Sequence, residues 1–188
     1  RPQPINDGKS RNAAVLVVLC GVDDDLELLL TVRSEHVSRH RGEVAFPGGM
    51  WQAGDDSLLE TALREAEEEV GIRKNSLELL ATLPSSSPLQ NQIMVFPFVA
   101  YMVREQKLTA QPSEISQIFR VPLQYLMKNE NYFYFEKSFD GELLSLPHID
   151  YNGLRIWGFT LKVLVDLLNI SLDAGIHLCF PFKTQNIN

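Results

Sequence analysis

Four glutamates lie close together in one short segment, Arg64-Glu65-Ala66-Glu67-Glu68-Glu69-Val70-Gly71-Ile72. In a helix, which turns about 100° per residue, Glu65, Glu68 and Glu69 share one face and Glu67 points elsewhere. Three like charges at this spacing repel one another, so a cationic group is expected among them. Carboxylate oxygens are the ligands that Mg²⁺ prefers, and Mg²⁺ commonly completes its shell with water and substrate phosphates. The segment therefore indicates metal-dependent phosphate chemistry.

The alternative interpretation is an acidic helix face that is merely solvated, which is the ordinary role of such charge runs. The residues that precede the helix argue against it. A turn, Phe46-Pro47-Gly48-Gly49, lies upstream, two aspartates, Asp55 and Asp56, follow it, and Arg64 stands next to the first glutamate of the shared face. Glycines allow a backbone to approach other groups closely. The context favours a built site.

The whole pattern resembles the Nudix box: a glycine, a spaced acid, and then REUXEEXGU with U aliphatic. The string REAEEEVGI matches its second half, with Ala66 and Ile72 in the aliphatic places. The distance from Gly49 to Arg64 is one residue longer than in the usual box, and the upstream acid is aspartate. Asp55 or Asp56 could fill that place, and Asp56 is favoured because it keeps the usual distance to Arg64.

The resemblance implies that Glu65, Glu68 and Glu69 hold one or more Mg²⁺ or Mn²⁺ ions, with the carbonyl of Gly49 as a further ligand. The metal would neutralise a diphosphate and position the attacking water. A non-catalytic, nucleotide-sensing Nudix-like domain is the alternative of another class. Such a domain is expected to lose ligand glutamates, and none is missing here.

The remaining catalytic roles fall on three residues. Arg64 cannot be a base because its guanidinium stays protonated. It is expected to orient the glutamates through a salt bridge, with Asp56 as the proposed partner. Two candidates for the general base stay open, Glu68 and Glu114. For Glu114, the alternative is a residue at a helix N-terminus that faces the helix dipole.

Further segments resemble the branch of the family that hydrolyses coenzyme A. They are Leu29-Leu30-Thr31-Val32-Arg33-Ser34, Gly42-Glu43-Val44-Ala45-Phe46-Pro47-Gly48-Gly49, Glu114-Ile115 with Val121-Pro122-Leu123, and Trp157-Gly158-Phe159-Thr160. The similarity covers roughly residues 13–168. It implies cleavage of the central diphosphate to 3′,5′-ADP and 4′-phosphopantetheine.

Arginines before the glycine turn are candidate substrate contacts, because the planar guanidinium gives paired hydrogen bonds to phosphate. Arg33, Arg39 and Arg41 could bind a 3′-phosphate or the diphosphate, and the alternative for each is a solvated loop residue. Where the branch motif carries a second arginine, this chain has Ser38. A different substrate, such as ADP-ribose, a dinucleotide or a nucleoside triphosphate, therefore stays open.

Hydrophobic periodicity predicts the elements that carry these residues. Alternating and apolar runs predict strands over 13–20 and 26–32, an extended segment at 44–46, and strands over 77–83 and 93–102, with Pro97 indicating an edge or a bulge. A helix is predicted from Ser57 to Val70, with Ser57 and Glu60 as a capping box and Gly71 as its end. Two short helical turns are predicted over 114–128, with Ser113 as N-cap, and a mostly buried helix over 154–170.

These elements predict one domain over residues 1–188 with a core at about 13–170. The fold class is α/β or α+β: the Nudix fold, an α/β/α sandwich with a mixed sheet and a loop-helix-loop.

The net charge of −7 argues against nucleic-acid binding, and no apolar run is long enough for a membrane helix. A small-molecule substrate is expected. Cys20 and Cys179 are predicted to be buried free thiols, in keeping with a cytoplasmic protein.

Overall fold

A computed structural model describes residues 11–37, 40–88, 93–139 and 141–181. Its strands and helices are, in chain order, β1 Arg11–Cys20, β2 Glu27–Arg33, β3 Val44–Ala45, β4 Gly48–Met50, α1 Leu58–Val70, β5 Leu77–Thr82, β6 Ile93–Met102, β7 Ile115–Pro122, α2 Leu123–Leu126, β8 Tyr132–Phe139, β9 Glu142–Tyr151, β10 Leu154–Trp157 and α3 Gly158–Leu172.

The larger sheet is mixed, because β1 runs parallel to β6 and antiparallel to β2 and β4. Strands β1 and β2 pair directly only at Val18–Cys20 and Glu27–Leu29. Beyond these pairs the two strands diverge, and β4 takes the place beside β1 while β3 takes the place beside β2. Strand β7 pairs with the opposite side of β2. The segment with the glycine turn is thus inserted as a wedge between the two diverging strands.

Helix α1 forms as its local sequence predicts. The Ser57 hydroxyl accepts a hydrogen bond from the Glu60 N–H at 3.3 Å, and Gly71 ends the helix in the left-handed conformation with φ 73°. The other half of the predicted capping box is absent, because the Glu60 carboxylate pairs with Lys74 instead. The buried face of α1 packs on one side of the larger sheet through Leu58, Ala62, Ala66 and Val70.

The other side of the larger sheet is covered by α3 and by a second, antiparallel sheet of β8, β9 and β10. Ile149 and Ile156 of this small sheet join Leu161, Leu164 and Leu168 of α3 in one core cluster. Helix, mixed sheet and helix follow one another in layers, so the predicted α/β/α class is confirmed. The small sheet is an addition that the sequence patterns did not predict.

Two predicted elements are wrong in type or position. Residues 115–122 form strand β7, not helical turns, and only Leu123–Leu126 is helical. The predicted helix over 154–170 begins at Gly158, because residues 154–157 pair with β9. Pairing with a neighbouring strand outweighs local propensity in these cases. The strand predicted over 93–102 is confirmed as β6, which is flanked by β1 and β5, so Pro97 does not mark an edge; the register shift between Leu79 and Ala81 of β5, in its pairing with β6, fits the predicted alternative of a bulge.

The two cysteines differ in their environments. Both are free thiols, but only Cys20 is buried, whereas Cys179 is exposed. Burial raises the pKa of the Cys20 thiol to about 11. Among the described residues, no helix is long and apolar enough to span a bilayer.

Candidate active site

The wedge formed by β3 and β4 brings the glycine turn against the acidic face of α1. The Gly48 N–H donates to Oε2 of Glu69 at 3.0 Å. A Cβ atom added to Gly49 would lie 2.4 Å from Cδ of Glu65, and one added to Gly48 would lie 2.3 Å from the carbonyl oxygen of Ala14. Only glycine therefore allows the backbone to lie between strand β1 and the two carboxylates.

Arg64 connects the loop to the helix by a set of short hydrogen bonds. Its Nε and Nη2 donate to the two oxygens of Asp55 at 2.9 and 3.2 Å. Its Nη1 donates to Glu65 at 2.9 Å and to Glu68 at 3.2 Å. Arg64 thus provides one positive charge among the glutamates, bonded to Glu65 and Glu68, and its proposed role of orienting them fits these contacts.

The partner of Arg64 is Asp55, so the prediction of Asp56 is wrong. Asp55 also accepts hydrogen bonds from the Gln52 N–H at 3.1 Å and the Thr61 hydroxyl at 2.8 Å, whereas Asp56 is exposed. The extra residue in the spacing is accommodated by this turn, which points Asp55 inward. Hydrogen bonding by Arg64 lowers the pKa of the Asp55 carboxyl below its usual value.

Burial differs sharply among the glutamates of the shared face. The exposed fraction of the side chain is 3% for Glu69, 13% for Glu65 and 61% for Glu68. Desolvation raises the pKa of Glu69 to about 7, against the effects of the Gly48 N–H and Arg33. Desolvation also raises the pKa of Glu65. Glu65 and Glu69 are therefore the carboxylates that most need a positive partner.

Glu114 lies near Glu65 and Glu69, and it is not at the N-terminus of a helix. It is an exposed residue directly before β7, and its charge adds to the rise in the pKa of both Glu65 and Glu69. Its carbonyl accepts the Ser34 N–H at 2.7 Å. The Gln111 N–H donates to the carbonyl of Glu69 at 2.9 Å, and the Gln111 carbonyl accepts the Glu114 N–H at 2.9 Å. This short chain of backbone bonds fixes Glu114 beside α1.

The candidate arginines separate into different positions. Arg33, at the end of β2, is half-buried, and its Nη1 lies 3.7 Å from Oε1 of Glu69. Arg41 is exposed, and its Nε donates to the carbonyl of Val37 at 2.8 Å. Arg39 and Ser38 lie outside the described residues. The structure thus brings Arg33 to the carboxylates and leaves Arg41 on the adjoining loop.

The donor chemistry of the cluster fits a hard divalent cation. Besides desolvation, which is the largest cause, the charge of Glu114 contributes to the raised pKa of both Glu65 and Glu69, and the charge of Glu65 contributes to that of Glu69, as expected for carboxylates that lie close together. As the side chains stand, Glu65 and Glu68 are both turned to Arg64. Within the described ranges, no three Asp, Glu, His or Cys side chains surround a common point in the manner of a ligand set.

Several contacts at the site are not predicted by the sequence patterns. Thr61 and Gln52 hold Asp55, and Ser34 and Gln111 hold Glu114. The contacts of Gln52, Ser34 and Gln111 are made by backbone groups, which nearly every residue type carries. The residue types therefore do not predict these contacts. Thr61 lies on the helix between the predicted cap and Arg64, and its proximity to Asp55 depends on the fold of the loop.

The structure thus holds the carboxylates of one helix against a glycine turn that is inserted into a mixed sheet, as the resemblance to the Nudix box implies. Comparison with known proteins agrees. The NUDIX domain family matches residues 10–139. Nudix hydrolase 15, mitochondrial, of Arabidopsis thaliana is 33% identical over 93% of this chain, which spans 65% of that protein's length.

A bacterial relative agrees with this family, and a solved structure shares the fold. A Nudix hydrolase of Photorhabdus laumondii, described as uncharacterized NudL, is 34% identical over 88% of this chain and 87% of its own length. The fold matches that of a MutT/nudix family protein from Enterococcus faecalis, with a TM-score of 0.59, 19% identity, and coverage of 92% of this chain and 66% of that one. The chain belongs to the Nudix hydrolase family. Enzymes of this family hydrolyse nucleoside diphosphate derivatives and generally need a divalent metal cation.

Proposed function

We propose that this protein hydrolyses the central diphosphate of coenzyme A, or of a coenzyme A derivative, to 3′,5′-ADP and 4′-phosphopantetheine. The observation that carries the proposal is the contact of Arg33 with Glu69, 3.7 Å apart, at the end of β2. It puts a guanidinium beside the buried carboxylates, where a phosphate held by a metal would meet it.

Glu65, Glu68 and Glu69 are the residues that would hold Mg²⁺ or Mn²⁺, with the Gly49 carbonyl as a further ligand. The bound ion supplies charge neutralisation of the diphosphate and activation of water. Arg64 holds Glu65 and Glu68 in place through Nη1 and is itself held by Asp55. Its role is positioning rather than proton transfer, because the guanidinium stays protonated.

Two residues compete for the role of general base. Glu114 is exposed beside Glu65 and Glu69 and is fixed there by the backbone bonds of its turn. Glu68 is also exposed, but its carboxylate is engaged by Arg64 at 3.2 Å. The bond of Glu68 to Arg64 favours Glu114 as the group that takes a proton from the attacking water.

The choice of coenzyme A depends on the loop between β2 and β3. Coenzyme A carries a 3′-phosphate in addition to its diphosphate, so its binding needs positive charge beyond Arg33. Arg41 lies exposed on this loop, anchored to the Val37 carbonyl, and Arg39 is two residues away in sequence. ADP-ribose, the diadenosine polyphosphates and the common nucleoside triphosphates lack the 3′-phosphate, so they cannot place that group against the loop.

The test is product analysis by mass spectrometry after incubation with Mg²⁺ or Mn²⁺. The substrates are coenzyme A, 3′-dephospho-coenzyme A, ADP-ribose and a diadenosine polyphosphate. The proposal expects 3′,5′-ADP and 4′-phosphopantetheine from coenzyme A, with a kcat/KM at least about tenfold above that for the dephosphorylated analogue. Equal turnover of the analogue, or turnover of another substrate alone, refutes the assignment to coenzyme A and retains the diphosphatase chemistry.

A further inference from the structure

The segment that carries the glycine turn is held in the sheet at both of its ends. Strand β4 pairs with β1 from Gly48 to Met50, and strand β3, two residues long, pairs with β2 at Thr31–Ala45 and Val32–Val44. The continuation of β3 supplies the Gly48 N–H to Glu69 and places Gly49 against Glu65. A small shift of this segment, residues 44–49, therefore moves the backbone that contacts both buried carboxylates.

Two buried threonine hydroxyls bind successive carbonyls of this segment. The Thr31 hydroxyl of β2 donates to the carbonyl of Ala45 at 2.9 Å, and the Thr160 hydroxyl of α3 donates to that of Val44 at 2.9 Å. Both side chains are buried, with exposed fractions of 0% for Thr31 and 8% for Thr160. The segment is thus fastened to the larger sheet by one threonine and to the C-terminal helix by the other.

The contact made by Thr160 joins two distant parts of the chain. A threonine near a helix end commonly caps that end, and a threonine within a helix commonly bonds a carbonyl of its own preceding turn. Thr160 lies in the first turn of α3 and donates instead to a residue 116 positions earlier in the chain. It also lies beyond residues 10–139, the part of the chain that matches the NUDIX domain. The bond therefore links the glycine segment to an element outside the matched region.

We propose that Thr160 is a positioning residue, which sets the place of residues 44–49 against Glu65 and Glu69 through its bond to the Val44 carbonyl. The functional importance of how residues 44–49 are placed rests on the proposed function, in which Glu65 and Glu69 bind the metal. The positioning itself is a property of the metal-free protein and is measured without turnover.

Three variants separate the hydroxyl from the shape of the side chain. Thr160→Val keeps the shape and removes the donor, and Thr160→Ser keeps the donor. Tyr125→Phe is the matched control, because the Tyr125 hydroxyl donates to the Asp150 carbonyl at 2.7 Å and its ring packs against the same core cluster. It removes a comparable half-buried hydroxyl bond that does not contact residues 44–49.

The first measurement is the ¹H–¹⁵N NMR spectrum of the metal-free proteins. Thr160→Val is expected to shift the Gly48 and Gly49 amide signals, because the Gly48 proton is bonded to a carboxylate, while Thr160→Ser and Tyr125→Phe leave them within a few hundredths of a ppm of the parent. Unchanged glycine signals in Thr160→Val overturn the proposal. If Thr160→Val does not fold, Thr160→Cys, a much weaker donor of similar size to serine, is compared with Thr160→Ser by the same criterion.

The second measurement is steady-state kinetics with Mg²⁺ on coenzyme A. Positioning predicts that Thr160→Val lowers kcat by about fivefold or more with KM changed less than about twofold, and that Thr160→Ser restores kcat. A fall in kcat that is equal in Thr160→Val and Tyr125→Phe contradicts a specific positioning role. A parent protein without turnover refutes the proposed function, whereas the NMR comparison still decides the role of Thr160.

Discussion

The backbone N–H of Gly48 lies 3.0 Å from a carboxylate oxygen of Glu69, whose side chain is 3% exposed. This single bond joins the glycine turn to the most deeply buried acid of the site. Because the acid is buried, its ionisation is costly unless a cation accompanies it. The relation between these two residues has measurable consequences for pH, metal binding and substitution.

Metal affinity should depend on pH through Glu69. Burial raises its pKa to about 7, so below that pH a cation must displace a proton. The affinity for Mn²⁺, measured by electron paramagnetic resonance of the free ion, is expected to rise by up to about tenfold per pH unit up to pH 7 and then to level off. Affinity that is flat between pH 5.5 and 7 contradicts protonation of a ligand carboxylate in this range.

The raised pKa of Glu69 should also affect the stability of the metal-free protein. The pKa of Glu69 is higher in the folded state than its ordinary value of 4.5. The protonated form is therefore favoured by folding, and the free energy of unfolding should fall as pH rises from 4.5 to about 7. Urea unfolding over this range checks the sign. Glu69→Gln, which cannot ionise there, should remove this part of the pH dependence.

Replacing Asp55 by asparagine should destabilise the protein, since it removes the charge that Arg64 binds with Nε and Nη2. The expected loss in the free energy of unfolding is about 1–3 kcal/mol at neutral pH. Because Arg64 lowers the pKa of Asp55, this stability is present above the ordinary value of 3.8 and is lost as pH falls through the lower, folded-state value.

Asp56→Asn is the matched control for this effect, since Asp56 is the exposed neighbour. Its unfolding free energy should stay within about 0.5 kcal/mol of the parent. Equal losses from the two substitutions would contradict the assignment of Asp55 as the partner of Arg64.

Gly49→Ala should disable the site without a long-range effect on the fold. The new Cβ would lie 2.4–2.7 Å from the three atoms of the Glu65 carboxyl group and must displace it. A displacement of this size is expected to lower kcat by about 100-fold. Gly54→Ala is the control, because no heavy atom lies within 4 Å of a Cβ there. Comparable kcat values for the two variants would rule out the tight contact with Glu65.

Arg33 and Arg41 should differ in their effect on catalysis. Arg33 lies beside Glu69, whereas Arg41 is exposed with its Nε bound to the Val37 carbonyl. Arg33→Gln is expected to lower kcat/KM by about 10–100-fold, and Arg41→Gln, which in the proposal shares the 3′-phosphate with Arg39, to lower it by about two- to fivefold. Steady-state kinetics at fixed Mg²⁺ concentration makes the comparison. A larger loss of kcat/KM in Arg41→Gln than in Arg33→Gln would indicate that the main phosphate contact lies on the loop.

The sequence predicts the parts of this structure that are specified locally. Helix α1 has its own periodicity, its own cap at Ser57 and its own end at Gly71, so its bounds follow from one short stretch. The glutamates on its shared face follow from the same helix geometry. Strand β7 is different, because its extended state depends on pairing with β2, more than eighty residues earlier.

Two further differences between the sequence predictions and the structure also depend on contacts that form only in the fold. The hairpin of β8 and β9 was not predicted, although Asp140-Gly141 between them is a typical turn pair, because its strands do not alternate cleanly. The number of residues to Arg64 along the chain favours Asp56 over Asp55. In the fold, the loop closes on itself through the Gln52 N–H and Asp55, and this turn decides which aspartate faces Arg64.

The most direct test of the central claim compares Glu69→Gln with Glu67→Gln in the hydrolysis of coenzyme A with Mg²⁺. Glu69 is buried against the glycine turn, whereas Glu67 is an exposed glutamate of the same helix that points away from the shared face. We predict that Glu69→Gln lowers kcat by about 1,000-fold or more and that Glu67→Gln stays within about twofold of the parent. Release of 3′,5′-ADP by Glu69→Gln at a rate close to that of the parent would contradict a hydrolytic site built on this carboxylate.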